Sequence, residues 1–296
     1  MPVKRVRWKA SRFLCLHRLP PGPLSLYNHL LVPETQRDLI DLVLVSPRNP
    51  LNIGAAARAM ANFGFRRLSV VAPYAPHWRE ARSAVGAPEL LQDAKEFPTF
   101  AEAVADSTFV IGTGMLTYRT PEQPVVSLPR LTPLVWDELE RGGRVSLVFG
   151  PEKHGLTRED LSWCHRLVEI PTDPRQPSMN LGQAVAVCLY ELACRQAHEA
   201  APVPEPETAG PRPGRAATSG HLDILAQLIE QIMAAAGYSP RSMQAANRHD
   251  LRLLLRRLTL AEYDKKRILG LFRRILWRLD RDENRGGGPQ RSIDPK

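Results

Sequence analysis

Between Leu42 and Ala193 short apolar runs alternate with stretches of helical periodicity, and this alternation constrains the fold more than any other feature of the chain. The runs Leu42–Val45, Leu68–Val71, Phe109–Ile111, Val145–Phe149 and Leu167–Ile170 show no polar side, which suits strands covered on both faces. Helical patterning over Ile53–Phe63, Phe100–Ala105, Pro133–Arg141 and Leu181–Ala193 separates several of them. Together they predict an α/β fold, a parallel sheet flanked by helices. Gly64 stands where the first helix should stop. Leu181, Ala184, Val185, Cys188, Leu189 and Leu192 share one face of the last, so that helix packs on the body.

Each of several apolar runs is followed by a small or polar stretch. Asn52-Ile53-Gly54 leads to Arg58, Gly112-Thr113-Gly114 ends the third run, Gly150-Pro151-Glu152 follows the fourth, and Ser178-Met179-Asn180-Leu181 comes after the fifth. In an open α/β sheet such loops meet at the carboxyl edge of the strands, where ligands bind. Asn52 is a plausible N-cap, and Gly54 with three alanines keeps the following turn thin enough for close approach of a backbone or a nucleotide. Arg58 suits either a site residue or a plain surface arginine. Glu152 suits either a loop-stabilising carboxylate or a catalytic one. Ser178 and Asn180 are both good caps, so capping accounts for one of them. His154 receives no role. The dinucleotide fingerprint, the phosphate-binding P-loop and the G-x-S-x-G nucleophile elbow are absent from the sequence.

Charge divides the chain. Residues 1–38 hold 7 Lys/Arg against 2 Asp/Glu, residues 39–198 hold 16 against 17, and residues 219–296 hold 15 against 9. A neutral body with two cationic ends suits a polyanionic partner such as RNA, or serves solubility alone. The Pro-rich first 38 residues read as a poorly ordered extension. Residues 198–219, with Ala201-Pro202-Val203-Pro204-Glu205-Pro206, read as a linker, and 284–296 as a disordered tail. Between these, residues 220–283 carry three amphipathic stripes: Leu222, Leu225, Leu228, Ile229 and Ile232; Leu251, Leu254, Leu255 and Leu258; Ile268, Leu271, Phe272, Ile275 and Leu279. They predict a small all-helical C-terminal extension. Arg267, Arg274, Arg278 and Arg281 lie along the polar face of its last helix, a candidate phosphate-contacting surface. No apolar run approaches the ~20 residues of a bilayer span. Cys15, Cys164, Cys188 and Cys194 form no metal-binding or disulfide pattern, as expected of reduced thiols in a cytoplasmic protein.

Asn52-x-Gly54-x-x-x-Arg58, Val148-Phe149-Gly150-x-Glu152-x-x-Gly155-Leu156, and Ile170-Pro171 through Ser178-Met179-Asn180-Leu181 resemble, in order and spacing, the three motifs of the TrmH-like branch of the SPOUT RNA methyltransferases. The likeness covers about residues 39–196. The helical tail resembles that of the TrmJ subgroup, which methylates ribose 2′-hydroxyls of the tRNA anticodon loop at nucleotide 32. The resemblance implies a C-terminal trefoil knot, which patterning alone would argue against because true knots are rare. It also implies a homodimer with the site completed by the partner chain, and S-adenosylmethionine as cosubstrate with no metal. The cosubstrate loops would be Thr113-Gly114-Met115, Gly150, Ile170 and Pro177-Ser178-Met179, with Leu181 beside the adenine. Arg58 would act on the reacting hydroxyl and its phosphate, while Asn52, Glu152, Ser178 and Asn180 shape the site. Ribosomal RNA as substrate, or a non-catalytic RNA-binding protein on the same scaffold, are the alternatives. The chain departs from the TrmJ pattern in its first 38 residues, its long Pro/Ala linker, and Met179 where leucine is common.

Overall fold

The computed structural model describes residues 34–114, 121–194, 215–238 and 241–286. Residues 1–33 of the expected extension over 1–38 lie outside them, while 34–38 hold the short helix α1 (Glu34–Arg37); most of the expected linker and the final ten residues also lie outside. Seven strands form one sheet: β1 (Ile40–Val45), β2 (Arg67–Val71), β3 (Lys95–Phe97), β4 (Phe109–Thr113), β5 (Val125–Ser127), β6 (Val145–Phe149) and β7 (Arg166–Glu169). Their order is β3-β2-β1-β6-β4-β7-β5, and every pairing is parallel. The predicted parallel sheet is therefore present, with two edge strands that the apolar pattern did not reveal. β3 is Lys-Glu-Phe and β5 is Val-Val-Ser; both are short and partly exposed, as sheet edges usually are.

The central strands read as continuous apolar runs because helices cover both faces. All five residues of β6 are buried, and Leu147 and Val148 are fully enclosed. Truncating a side chain such as Leu147 to alanine costs about 2–5 kcal/mol, so this strand is a principal source of stability. One face packs on α2 (Pro50–Phe63), α5 (Leu131–Glu140) and α7 (Leu181–Cys194); the other carries Phe100, Leu161 and Trp163 from α4 (Phe100–Ala103), α6 (Arg158–Ser162) and its cap. Between β2 and β3 lies α3 (Pro88–Gln92).

Local chemistry sets the ends of the site-bearing helices. α2 starts at Pro50, three residues before the apolar pattern suggests. Asn49, not Asn52, is its N-cap, with its side chain accepting from the Leu51 amide at 3.0 Å and proline at the first helical position. Gly64 ends it in the left-handed region at φ 75°, as expected. Asn180 caps α7, its Oδ1 accepting the Gly182 amide at 3.0 Å and the Gln183 amide at 3.4 Å. α2 and α7 cross so closely that a Cβ on Gly182 would lie 2.6 Å from that of Ala55.

Beyond the body stand α8 (Ser219–Ala235), α9 (Gln244–Arg257) and α10 (Lys265–Gly286). Leu225, Ala226, Leu255 and Leu269 form their shared core. Two of the predicted stripes are rotated. In α9, Leu254 and Leu258 face solvent while Leu253 and Arg256 are buried; in α10, Leu271 and Ile275 are exposed while Leu269 is buried. For α9 the cause is that it packs on two sides at once, on α8 through one face and on α6 of the body through the other. Backbone bonds also seat α8 on the body, from the Ser219 amide to the Ser107 carbonyl at 2.8 Å and from Gly220 to Ala105 at 2.9 Å.

Candidate active site

Because β1, β6, β4 and β7 are parallel neighbours, the loops leaving their carboxyl ends share one edge of the sheet. Those leaving β6, β4 and β7 enclose a cavity of about 220 Å³. Thr113 and Gly114 line it from β4, Gly150 and Glu152 from the β6 loop, and Ile170, Pro177, Ser178, Met179 and Leu181 from the segment after β7. Nearly every residue expected at the cosubstrate site is thus in one wall; Met115 lies outside the described residues. Sequence reasoning assigned nothing there to Phe149, Lys153, His154, Leu161, Leu167, Glu169, Thr172 and Ala184, which also line the cavity. Leu161, in α6, and Leu167, inside β7, belong to no polar-glycine stretch, and only their places in space put them at the cavity.

A chain of hydrogen bonds ties the loops together. Asn180 Nδ2 donates to Asn52 Oδ1 at 3.0 Å, and Asn52 Nδ2 donates to Glu152 Oε1 at 2.8 Å. Glu152 also accepts the amides of Arg48 at 3.0 Å and Asn49 at 3.1 Å. Burial alone would raise the Glu152 pKa, but the hydrogen bonds from Asn52 and these amides outweigh it and hold the carboxyl below its ordinary range. The carboxylate therefore clamps the β1 loop to the β6 loop, the first of its two sequence readings. Asn52 is free for this task because Asn49 does the capping.

Two glycines are explained by the chain's own packing, and for Gly54 the backbone alternative of the sequence reading is the one observed. The space beside Gly150 is filled by the chain itself: a Cβ there would fall on the backbone of Gly155 and Leu156, where the loop turns tightly through Gly155 at φ 63°. Gly54 likewise makes room for the protein's own backbone. A Cβ on it would lie 2.9 Å from the Ala84 amide nitrogen, and the adjacent Ser83 Oγ donates to the Leu51 carbonyl at 2.7 Å. Neither glycine is kept small for a ligand. Thr113 spends its hydroxyl on the Val148 carbonyl at 2.9 Å, leaving its backbone to face the cavity.

Arg58 stands apart. It is exposed, does not line the cavity, and makes no ion pair among the described residues. Six residues of helix place it about 120° around α2 from Asn52. It shares its face with Leu51 and Ala55; on neighbouring α7, Gln183, Val187 and Tyr190 form an exposed row.

On α10, Arg267, Arg274 and Arg278 are exposed within an arc of about 40° at 100° per residue. The Arg274 and Arg281 guanidiniums lie 4.1 Å and 4.7 Å from the centre of the Trp277 ring. Cys164 and Cys188 are buried, and burial pushes both thiols up to about 12, which makes them poor nucleophiles. No helix among the described residues is long and apolar enough to cross a membrane.

The SpoU rRNA methylase family model matches residues 40–190, the span that builds the sheet, the cavity and most of α7. The chain belongs to the SpoU methylase family. A relative named tRNA (cytidine/uridine-2'-O-)-methyltransferase TrmJ, from Yersinia enterocolitica, is 30% identical over 86% of this SpoU methylase and 95% of its own length. A relative named tRNA (cytidine/uridine/adenosine-2'-O-)-methyltransferase TrmJ, from Pseudomonas aeruginosa, is 40% identical over 52% of the chain, and the match spans only 60% of that relative. The crystal structure of TrmJ from Z. mobilis ZM4 is 29% identical, with a TM-score of 0.67 over 79% of this chain and 98% of that one.

Proposed function

We propose that this SpoU methylase transfers a methyl group from S-adenosylmethionine to a ribose 2′-hydroxyl of tRNA, in the anticodon loop at nucleotide 32, acting as a homodimer. The observation that carries the reading is the cavity lined from the ends of β4, β6 and β7, with the Asn180–Asn52–Glu152 chain tying the β1 loop to its wall through Glu152. The names borne by the TrmJ relatives point the same way. Residues 39–197 would form the catalytic domain with its C-terminal trefoil knot, residues 198–219 the linker, and 220–283 the RNA-binding extension.

The cavity suits the cosubstrate: Phe149, Leu156, Leu161, Leu167 and Ile170 offer an apolar bed, and backbone groups of Gly114, Gly150 and Met179 offer polar contacts at its edge. The cosubstrate supplies a methyl carbon on a positively charged sulfur, so one C–S bond breaks as one C–O bond forms, S-adenosylhomocysteine departs as a neutral thioether, and the hydroxyl proton passes to solvent water. Asn52, Glu152 and Asn180 hold the loops that align these groups. Arg58 carries the substrate side of the step. As a cation it orients the adjacent phosphate and stabilises the developing oxyanion. Within one chain Arg58 faces away from the cavity, which is the geometry expected if it serves the partner's site. The exposed apolar residues Leu51, Val187 and Tyr190 beside it support a dimer face there.

Arg267, Arg274 and Arg278 would contact RNA phosphates. The decisive experiment incubates the purified full-length protein with S-adenosylmethionine and unmodified tRNA, then measures 2′-O-methylated nucleosides by mass spectrometry. A 2′-O-methylcytidine or 2′-O-methyluridine at nucleotide 32 supports the reading, and tRNA that stays unmodified overturns it. The rRNA description of the matching family model favours a second reading, the same chemistry on ribosomal RNA, and the same assay on rRNA separates the two.

A further inference from the structure

The back of the cavity wall touches the helical extension. Leu156 and Leu161 line the cosubstrate cavity and also a second cavity of about 290 Å³, whose far side is His249 of α9. The Leu161 carbonyl accepts Gln123 Nε2 at 2.6 Å, and the neighbouring Glu122 meets His249 at 3.3 Å and Arg158 at 2.7 Å. Two residues beyond Leu161, the Trp163 carbonyl ends α6 and accepts Arg256 Nε of α9 at 2.9 Å. The Trp163 ring lies 4.2 Å from the Arg252 guanidinium and 5.1 Å from that of Arg256. Arg252 reaches Glu159 of α6 at 3.6 Å.

Arg256 is the unusual member. It is 3% exposed, and its Nη2 is shut from solvent with no hydrogen-bond partner among the described residues. Burial pulls its pKa down to about 10, so a charge is kept inside at a cost. A methionine would fill much the same space without that cost. What the guanidinium adds is a fixed direction: a charged hydrogen bond to the last carbonyl of α6, stacked against the ring of the same residue.

We infer that Arg256 is a positioning residue for the cosubstrate site, holding α6 so that Leu161 and Leu156 keep the shape of the cavity wall. The helical extension is then a supporting element of the methyl-donor pocket as well as an RNA-binding surface. This rests on the cavity being the S-adenosylmethionine site.

The test is calorimetric binding of S-adenosylmethionine to the full-length protein without RNA, well below the melting temperature, followed by steady-state kinetics with tRNA. Arg256→Met is expected to weaken S-adenosylmethionine about tenfold and raise its KM, with the KM for tRNA little changed. Arg256→Lys, which keeps a charged donor, should recover part of the affinity. Arg252→Ala should weaken binding in the same sense and decides the matter if Arg256→Met does not fold. Arg248→Ala removes an ion pair to Glu230 internal to the extension and should leave the affinity at the wild-type value. Lower melting temperatures with unchanged S-adenosylmethionine affinity in both Arg256→Met and Arg252→Ala overturn the inference alone. Wild-type protein that binds no S-adenosylmethionine overturns the reading of the cavity and this inference with it.

Discussion

Asn180 donates to Asn52 across 128 residues of chain, at 3.0 Å, and the orientation of both amides follows from their other bonds. Asn180 Oδ1 is committed to the start of α7, so its Nδ2 faces Asn52. Asn52 Nδ2 is committed to Glu152, so its Oδ1 faces Asn180. Any substitution in this chain therefore disturbs two loops at once.

Asn52→Asp separates a positioning role from a merely polar one. The new carboxylate would face Glu152 Oε1 where a donor stood at 2.8 Å. Repulsion between the two carboxylates should open the clamp and weaken S-adenosylmethionine at least tenfold, while Asn52→Ala should cost less, about 0.5–1 kcal/mol of binding. Calorimetry at pH 7.5 checks both, and equal losses would argue against the clamp.

Arg58→Ala should abolish methyl transfer, by about a hundredfold or more, with S-adenosylmethionine affinity within about twofold of wild type. Its side chain is exposed and makes no ion pair among the described residues, so the melting temperature should hardly move. Single-turnover assays beside thermal unfolding check this; wild-type turnover would remove Arg58 from the reaction.

Asp41 gives the fold a pH dependence. Burial raises its carboxyl from 3.8 to about 6, against the smaller opposing effects of the Ser69 hydrogen bond and of Arg67, Lys95 and Arg144. Its Oδ1 is enclosed and unpartnered among the described residues. The folded state holds the proton more tightly, so stability falls as pH rises between about 4 and 6, on the order of 3 kcal/mol for this group. Asp41→Asn should remove that slope and be more stable than wild type at pH 7. Urea unfolding from pH 4 to 7 measures it, and parallel curves for the two proteins would refute the assignment.

Arg267→Glu with Arg274→Glu should weaken tRNA binding and flatten its dependence on salt, by about one in the logarithmic slope for each phosphate no longer neutralised. Filter binding at several salt concentrations gives the slope. An unchanged value would mean that this face of α10 touches no phosphate.

Gly150→Ala places a methyl on the backbone of Gly155 and Leu156, which side-chain motion has no means to relieve. The β6 loop should shift, with a loss of about 1–3 kcal/mol and weaker S-adenosylmethionine binding. Gly114→Ala, where nothing lies within 4 Å of the added Cβ, is the matched comparison, and urea unfolding beside calorimetry reads both variants.

Buried strands announced themselves because a parallel sheet covered on both sides has no polar face to conceal them. Edge strands β3 and β5 did not, since three residues carry no period and β3 is largely polar. Three of the four polar-glycine stretches line the cavity because each sits at a strand end and parallel order brings those ends together; Asn52-Ile53-Gly54 does not line it and meets it only through Glu152. Leu161 and Arg256 were hidden for the opposite reason: their importance comes from what packs behind them. The stripe on α9 misled because its leucines alone do not say which face meets a second partner.

The Asn52–Asn180 bond also dictates an order of assembly. Asn52 and Glu152 leave the ribosome well before Asn180, and the cap of α7 forms only when that late segment folds back against the earliest helix of the sheet. Pairings of such long range form slowly, because the chain between must first be brought to heel. A nascent or truncated product ending before α7 would hold all seven strands and still lack the part of the cavity wall that Leu181 and Ala184 supply.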